Sequence, residues 1–337
     1  MSSNEPRQII VLEDDDGQRL DRWAKKHVPD LSYVLVQKLA RKGQIRVDGK
    51  RVKTDVRLAT GQEVRLPPLR DASQDKKPKG LSEKDVDFIQ SLVIYEDEHV
   101  IAINKPSGLA TQGGSKTHYH VDMLLDGLIG HDGVRPRLVH RLDKGTSGVL
   151  LLAKSVKVAR VLGDAFKRKA MKKIYWALCS PVPEVRQGSV RAPIGKSVVG
   201  HREKMVVDED GKYALTDYCV LDNALDRVAF IAFYPRTGRT HQIRVHTQLL
   251  GAAIIGDDKY ETIPDPDSQK PLPDLSELDI ADRLHLHARR IVCPHPAQAG
   301  WLDITAPLPP ELMKSWKSLS FDYNDKTDPF EDLEFKR

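Results

Sequence analysis

Residues 70–80, R-D-A-S-Q-D-K-K-P-K-G, offer almost nothing that a hydrophobic core could bury. Ordering such a stretch costs conformational entropy that no apolar burial offsets. A chain interrupted in this way is expected to fold as separate units joined by a polar, flexible linker. The expected division is a first domain over 1–68, a linker over 69–87, a second domain over 88–320 and an acidic tail over 321–337 that frays. The length of 337 residues suits about two domains.

The first segment is strongly basic. Between Gln18 and Lys53 stand eleven Lys/Arg and three Asp, a local net charge of +8, whereas the whole chain carries +5. Leu20, Trp23, Ala24 and His27/Val28 recur at helical spacing, with Arg19, Arg22, Lys25 and Lys26 outside, and Pro29-Asp30 ends this helix. Leu31-Ser32 reads as a staple and N-cap for a second helix. That helix is expected to direct Leu35 and Leu39 inward and Lys38, Arg41 and Lys42 outward, and to stop at Gly43. Ile45 and Val47 then alternate up to an Asp48-Gly49 hairpin turn, from which Val52 returns.

This basic bias suggests a polyanionic partner. Cys179, Cys219 and Cys293 lie far apart with no C-x-x-C pair, and read as buried thiols of a reducing compartment. His118/His120 and His285/His287 are spaced as on one face of a strand, but no nearby Cys or third ligand completes either pair, so no metal is expected. The sequence shows no signal peptide, lipidation signal or run of eighteen apolar residues. A soluble, cytoplasmic, monomeric protein is expected.

Beyond the linker, many short β runs are predicted: Leu92–Tyr95, Val100–Asn104, Val149–Ala153, Ile174–Cys179, Tyr218–Leu221, Val228–Tyr234, Ile254–Ile255 and Leu284–Ala288. Helices are few, near Val156–Lys169, Thr240–Leu250 and Pro310–Leu319. This pattern favours an α+β domain on a mixed, largely antiparallel sheet over a doubly wound fold. Neither G-x-G-x-x-G nor G-x-x-x-x-G-K-[ST] occurs, which argues against a nucleotide cofactor.

The run His140–Ser155, H-R-L-D-K-G-T-S-G-V-L-L-L-A-K-S, sets the carboxylate of Asp143 between Arg141 and Lys144 and follows it with a Gly-Thr-Ser-Gly turn and an apolar strand. Neighbouring cations favour the charged carboxylate, and the turn would hold it at the mouth of a site as a nucleophile or base. In Pro235–His246, P-R-T-G-R-T-H-Q-I-R-V-H, Thr240 is expected to cap a helix with His241, Arg244 and Gln248 on one side and Ile243, His246 and Leu250 on the other.

These segments resemble the motifs of the RluA family of pseudouridine synthases. H-R-L-D and T-G-R-T-H-Q-I-R-V-H match it, as do Lys173-x-Tyr175-x-Ala177, Arg283-Leu284-His285-Leu286-His287-Ala288 and Asn104-Lys105-Pro106-Ser107-Gly108, in the family's order. The two helices, basic edge and V-D-G-K hairpin of the first segment resemble an S4 RNA-binding domain. With that unit, the chain is most similar to the RluC-type branch, acting on large-subunit ribosomal RNA. Gln112-Gly113-Gly114 departs from the branch's H-G-G, which bears on which uridines are chosen.

The resemblance implies the pseudouridine synthase fold, no cofactor, and site-specific isomerisation of uridine in RNA. It implies Asp143 as the essential carboxylate, Arg244 as its partner through a planar fork that Lys cannot reproduce, and Tyr175 as the ring that stacks on the base. Leu286 packs near the base, and Arg141, His140 and Arg239 contact substrate. Asn104–Gly108 shapes the sheet beneath the site. Arg19, Arg22, Lys38, Arg41, Lys42 and Arg46 of the S4-like unit face RNA. Two alternatives stay open: the same reaction on transfer RNA, or a non-catalytic RNA-binding ribosome-assembly factor.

Overall fold

The chain divides into two units, Met1–Gly80 and Leu81–Arg337. The computed structural model describes residues 6–28, 31, 33–68, 80–114, 117–199, 202–263 and 271–333. Most of the expected linker, 69–79, lies outside these residues, as do Pro29, Asp30 and Ser32. The second unit begins earlier than expected, because Ser82 and Asp85 form a reciprocal capping box that starts the helix Glu83–Ser91.

In the first unit the helices Leu20–His27 and Tyr33–Arg41 pack over a four-stranded sheet. Its strands run in the order Arg7–Ile10, Glu63–Leu66, Arg46–Val47, Lys50–Arg51, all antiparallel. Leu20, Trp23, Ala24 and Val28 are buried at the predicted spacing. The second helix is rotated from the expected face: Val36 and Ala40 enter the core, Leu39 is partly buried, and Leu35 is exposed. Both i, i+4 pairs fit a helical stripe, so periodicity alone could not choose between them. Asp48 and Gly49 both have positive φ, 49° and 74°, as a tight hairpin turn of the primed type requires.

The second unit is built on one mixed sheet. Its main path runs Gln187–Arg191, Leu215–Ala224, Val228–Pro235, Lys172–Ser180, Leu286–Pro294, Ser147–Ala153, Val100–Lys105, Val93–Glu96. Neighbours along this path are antiparallel except Leu286–Pro294 with Ser147–Ala153. Ser147–Ala153 is buried at every position because both faces of the sheet are covered there. Val149, Leu151 and Ala153 pack with Val158 and Leu162 of the helix Val156–Lys167. Leu150 and Leu152 face the opposite way, toward Ile89, Val121 and Leu124. Val228–Pro235 divides likewise: Phe230 and Ala232 join Trp316 of the helix Pro310–Ser318, and Ile231 and Phe233 join Ile243.

The parallel pairing explains one motif glycine. Gly148 has φ 114°, and a Cβ there would overlap the backbone of Ala288 on the neighbouring strand. The expected frayed tail is corrected in its described part. Phe321 and Phe330 are buried beside Trp316 and Tyr234, and Tyr323 and Leu333 pack against the same cluster. Aromatic residues spaced irregularly carry no periodic signal, yet each buries a large apolar area. No helix among the described residues is long and apolar enough to cross a membrane.

Candidate active site

The loop that carries Asp143 is held from behind by backbone hydrogen bonds. Thr111 Oγ1 donates to Leu142 O (2.7 Å) and accepts from Leu142 N (3.1 Å). Gly108 N donates to Lys144 O (2.8 Å), and Ser107 Oγ donates to Gly145 O (2.7 Å). Lys105 is fully buried, and its ammonium donates to Pro106 O (2.9 Å), Leu109 O (2.8 Å) and Lys144 O (3.4 Å). Burial lowers its pKa to about 7, against the pull of Asp143. Asn104–Gly108 thus does more than shape the sheet: it fixes the Asp143 loop directly.

Asp143 lines a cleft of about 1020 Å³ together with His140, Arg141, Tyr175, Arg239, His241, Arg244 and Leu286. All the residues expected at the site from the H-R-L-D, K-x-Y, T-G-R-T-H-Q-I-R and R-L-x-L-H-A segments therefore meet. Their environments differ from expectation in four respects.

The first concerns the flanking cations. Arg141 and Lys144 are exposed, and neither forms an ion pair with Asp143 among the described residues. The basic side chain that approaches Asp143 is His241, with Nε2 3.9 Å from Asp143 Oδ2.

The second concerns Arg244. Its fork does not close on Asp143. Nε donates to Asp257 Oδ2 (2.7 Å), and Nη2 donates to Asp257 Oδ1 (2.5 Å) and Asp258 Oδ1 (3.0 Å). Against burial, Asp257 raises the Arg244 pKa, with smaller contributions from Asp143 and then Asp258. Arg244 is buried, so it does not lie on an exposed basic helix side.

The third is the helix start. The helix runs Gln242–Leu249 and its N-cap is His241, not Thr240. His241 has φ 56° and ψ 20°, a left-handed conformation uncommon for residues other than glycine. Gln242 anchors the turn with four hydrogen bonds, accepting from Thr237 Oγ1 (2.7 Å) and Arg239 N (3.0 Å) and donating to Leu215 O (2.9 Å) and Thr216 Oγ1 (2.9 Å). His246 bonds Thr216 Oγ1 (2.8 Å) and Ala192 O (3.1 Å). Two motif residues are thereby explained by anchoring.

The fourth is His140. Its Nε2 accepts from Leu151 N (2.9 Å), and its ring lies 4.7 Å from that of Phe166. Burial, then Lys173, drives its pKa down to about 3, so the ring is neutral. It pins the loop to the strand Ser147–Ala153 while lining the cleft.

Tyr175 stands on Lys172–Ser180, half-buried, and its hydroxyl makes no hydrogen bond with the described residues. Burial, then Asp143, raises its pKa, so it stays a neutral phenol. Leu286 opens the neighbouring strand and is buried in the cleft floor. Arg239 is exposed at the rim, with Nε donating to Tyr213 O (3.0 Å).

Sequence reading gave no role to Lys173, His241, Asp257 or Tyr260. Lys173 shares the face of Tyr175 by strand alternation. It lines the cleft without a hydrogen bond or ion pair among the described residues, and burial lowers its pKa to about 8. The K-x-Y spacing held that signal. Nothing local in D-D-K-Y marks Asp257 and Tyr260, because their partners Arg244, His241 and Met205 lie on other segments.

A profile described as RNA pseudouridylate synthase matches residues 99–249. The ribosomal large subunit pseudouridine synthase C of Escherichia coli (strain K12) is 34% identical over 320 residues, covering 92% of this chain and 96% of that protein. The protein of the same name from Vibrio parahaemolyticus is 35% identical over 313 residues, covering 91% and 94%. Among solved structures, human RNA pseudouridylate synthase domain containing 4 aligns with a TM-score of 0.58 at 28% identity, over 71% of this chain and 98% of that one. The fold, the cleft around an H-R-L-D loop and this end-to-end similarity together establish that the chain belongs to the RNA pseudouridylate synthase family.

Proposed function

We propose that the protein isomerises uridine to pseudouridine at specific sites of large-subunit ribosomal RNA, the substrate named for its bacterial relatives. Such a substrate places it in the cytoplasm. The reaction needs no outside donor: the N1–C1′ bond breaks, the uracil turns, a C5–C1′ bond forms, C5 loses a proton and N1 gains one. The observation that carries this reading is that Asp143, Tyr175, His241 and Leu286, from four distant segments, line one cleft.

In this reading Asp143 is the essential carboxylate, able to act as nucleophile or base. Tyr175 offers a ring face to the base, above the apolar floor made by Leu286. Arg141, exposed at the mouth, contacts phosphate or fills the space left by the displaced nucleotide. Displacement costs a few kcal/mol, and stacking on an aromatic ring returns about 1–3 kcal/mol. Loops and bulges, whose bases are already partly unstacked, are the preferred targets. Lys173 supplies a cation inside the cleft for the RNA backbone. The first unit binds RNA in the manner of an S4 domain, through exposed Arg22, Lys38, Arg41 and Lys42, with Arg19 and Arg46 at its edge.

The test is conversion of unmodified large-subunit ribosomal RNA and unmodified transfer RNA by the purified protein, followed by base-resolved pseudouridine mapping. New pseudouridine at discrete ribosomal positions is expected. Conversion of transfer RNA alone would replace the substrate, and tight RNA binding without conversion would favour an assembly factor.

A further inference from the structure

We infer that His241 is a positioning residue that holds the Asp143 carboxylate through Nε2–H, and that Tyr260 and Arg244 fix His241 for this task. The inference rests on the reading of Asp143 as the essential carboxylate.

The argument begins with the Tyr260 hydroxyl, which is buried. It accepts from Met205 N (3.1 Å) of the strand Arg202–Val207, and lies 2.8 Å from His241 Nδ1. A phenol carries a single proton. Among the described residues the only acceptor within reach of that proton is His241 Nδ1, and a buried hydroxyl proton without a partner is costly. The hydroxyl therefore donates to Nδ1. Burial holds the imidazole below the ordinary histidine pKa, with Arg244 and Lys259 acting in the same direction and Asp143 and Asp257 against it. A neutral ring that accepts at Nδ1 carries its proton on Nε2, the nitrogen 3.9 Å from Asp143 Oδ2. Side-chain movement of about 1 Å closes this to a hydrogen bond, and such contacts commonly tighten only when substrate is bound.

Arg244 belongs to the same network. Asp257, which takes its fork, also accepts from Lys259 N (2.9 Å) and Tyr260 N (3.0 Å) through Oδ1. The Arg244 guanidinium lies 5.0 Å from the centre of the Tyr260 ring. Arg244 thus ties the turn that carries Tyr260 to the helix whose first residue is capped by His241. Its fork on Asp257 steadies Tyr260 and His241, in addition to the direct electrostatic attraction between Arg244 and Asp143.

The competing explanation is that His241 merely accepts a left-handed backbone. The two explanations rank substitutions in opposite orders. Gly and Asn tolerate that conformation best. Gln is poor there, but its amide nitrogen reaches the position of Nε2, whereas that of Asn reaches only Nδ1. Single-turnover rates at saturating unmodified large-subunit ribosomal RNA decide between them. His241→Gln is expected to stay within about tenfold of wild type, and His241→Asn and His241→Gly to fall about a hundredfold or more, the range of a lost proton-holding group. Tyr260→Phe, which keeps the ring, should lower kcat with KM unchanged and add no further loss to His241→Asn.

Asn or Gly outperforming Gln, or full additivity of Tyr260→Phe with His241→Asn, would overturn the inference. Asp143→Asn in the same assay separates the two levels. If that variant is dead, the ranking bears on His241 alone; if it is active, the reading of Asp143 falls and takes this inference with it.

Discussion

The two units hold their charges in opposite ways. In the first, Arg22, Lys38, Arg41 and Lys42 are exposed and form no ion pairs among the described residues, while Arg19 is tied to Asp21 (2.7 Å) and Arg46 donates to Gly43 O (3.3 Å) and Gly49 O (3.2 Å). In the second, the polar groups around the cleft are held by partners: Arg244 by Asp257, Lys105 by three carbonyls, and His241 by Tyr260, with its Nε2 3.9 Å from Asp143. Exposed cations without ion pairs suit a phosphate backbone, where sign matters more than position. A fixed network suits a reacting carboxylate, where a shift of about 1 Å can cost a hundredfold. The contrast predicts that charge-conserving changes are harmless in one unit and damaging in the other.

The largest effect should come from Asp143→Asn. The side chain keeps its shape but can serve neither as nucleophile nor as base, so single-turnover conversion should fall at least a hundredfold, a barrier rise of about 2.7 kcal/mol or more, with RNA affinity retained. Arg244→Lys comes next. The cation survives, but the two-pronged hold on Asp257 does not, and activity should drop by about tenfold or more. A Lys variant as fast as wild type would break the contrast at its centre. The matching change in the first unit, Arg22 and Arg41 to Lys together, should leave both affinity and rate within about twofold, since exposed ion contacts contribute little through geometry.

Removing charge there is different. Gln at Arg22, Lys38, Arg41 and Lys42 should weaken RNA binding without slowing the step at saturation. The log–log salt slope should shrink by roughly 0.7–0.9 for each RNA phosphate that is no longer neutralised. An unchanged slope in a salt titration would show that this face does not touch RNA.

The smallest effect separates a fixed charge from a functional one. Asp97 accepts from His99 N (2.7 Å), Val100 N (2.8 Å), Tyr95 Oη (2.7 Å) and His295 Nε2 (3.1 Å), which hold its pKa at about 2 despite burial. A depressed carboxylate pKa contributes stability above its unfolded value of 3.8, and this is lost as pH falls through about 2. Asp97→Asn should therefore cost about 2 kcal/mol of unfolding free energy at pH 7. The gap should narrow in acid denaturation below pH ~4, and turnover should be unaffected.

Much of the second unit was legible from local pattern. The runs Val100–Asn104, Val149–Ala153 and Ile174–Cys179 fall inside observed strands that are one to three residues longer. The paired strands Ile194–Val199 and Arg202–Val207 went unread, although one carries the Met205 backbone that engages Tyr260. Of their side chains with described burial, all but Ile194 are half-exposed or exposed, so no buried face imposed an apolar alternation. The rotation of the helix Tyr33–Arg41 was missed because its core face is set by which side meets the sheet.

The sequence by itself determined which residues gather at the cleft. H-R-L-D, K-x-Y, T-G-R-T-H-Q-I-R and R-L-x-L-H-A are short chemical signatures, and turn and strand preferences place each beside the others once the sheet forms. It also determined the basic character of the first unit, since charge is a property of composition. Only the tertiary structure decided which partner each charged group takes. Arg244 meets Asp257 rather than Asp143 because the turn after Ala253–Ile254 brings that carboxylate against the helix. His241 faces Asp143 because Gln242 anchors the turn and leaves residue 241 in a left-handed conformation. Pairings of this kind depend on distances of a few ångströms between segments far apart in the chain, and Coulomb and hydrogen-bond energies fall too steeply over such distances for spacing in sequence to specify them.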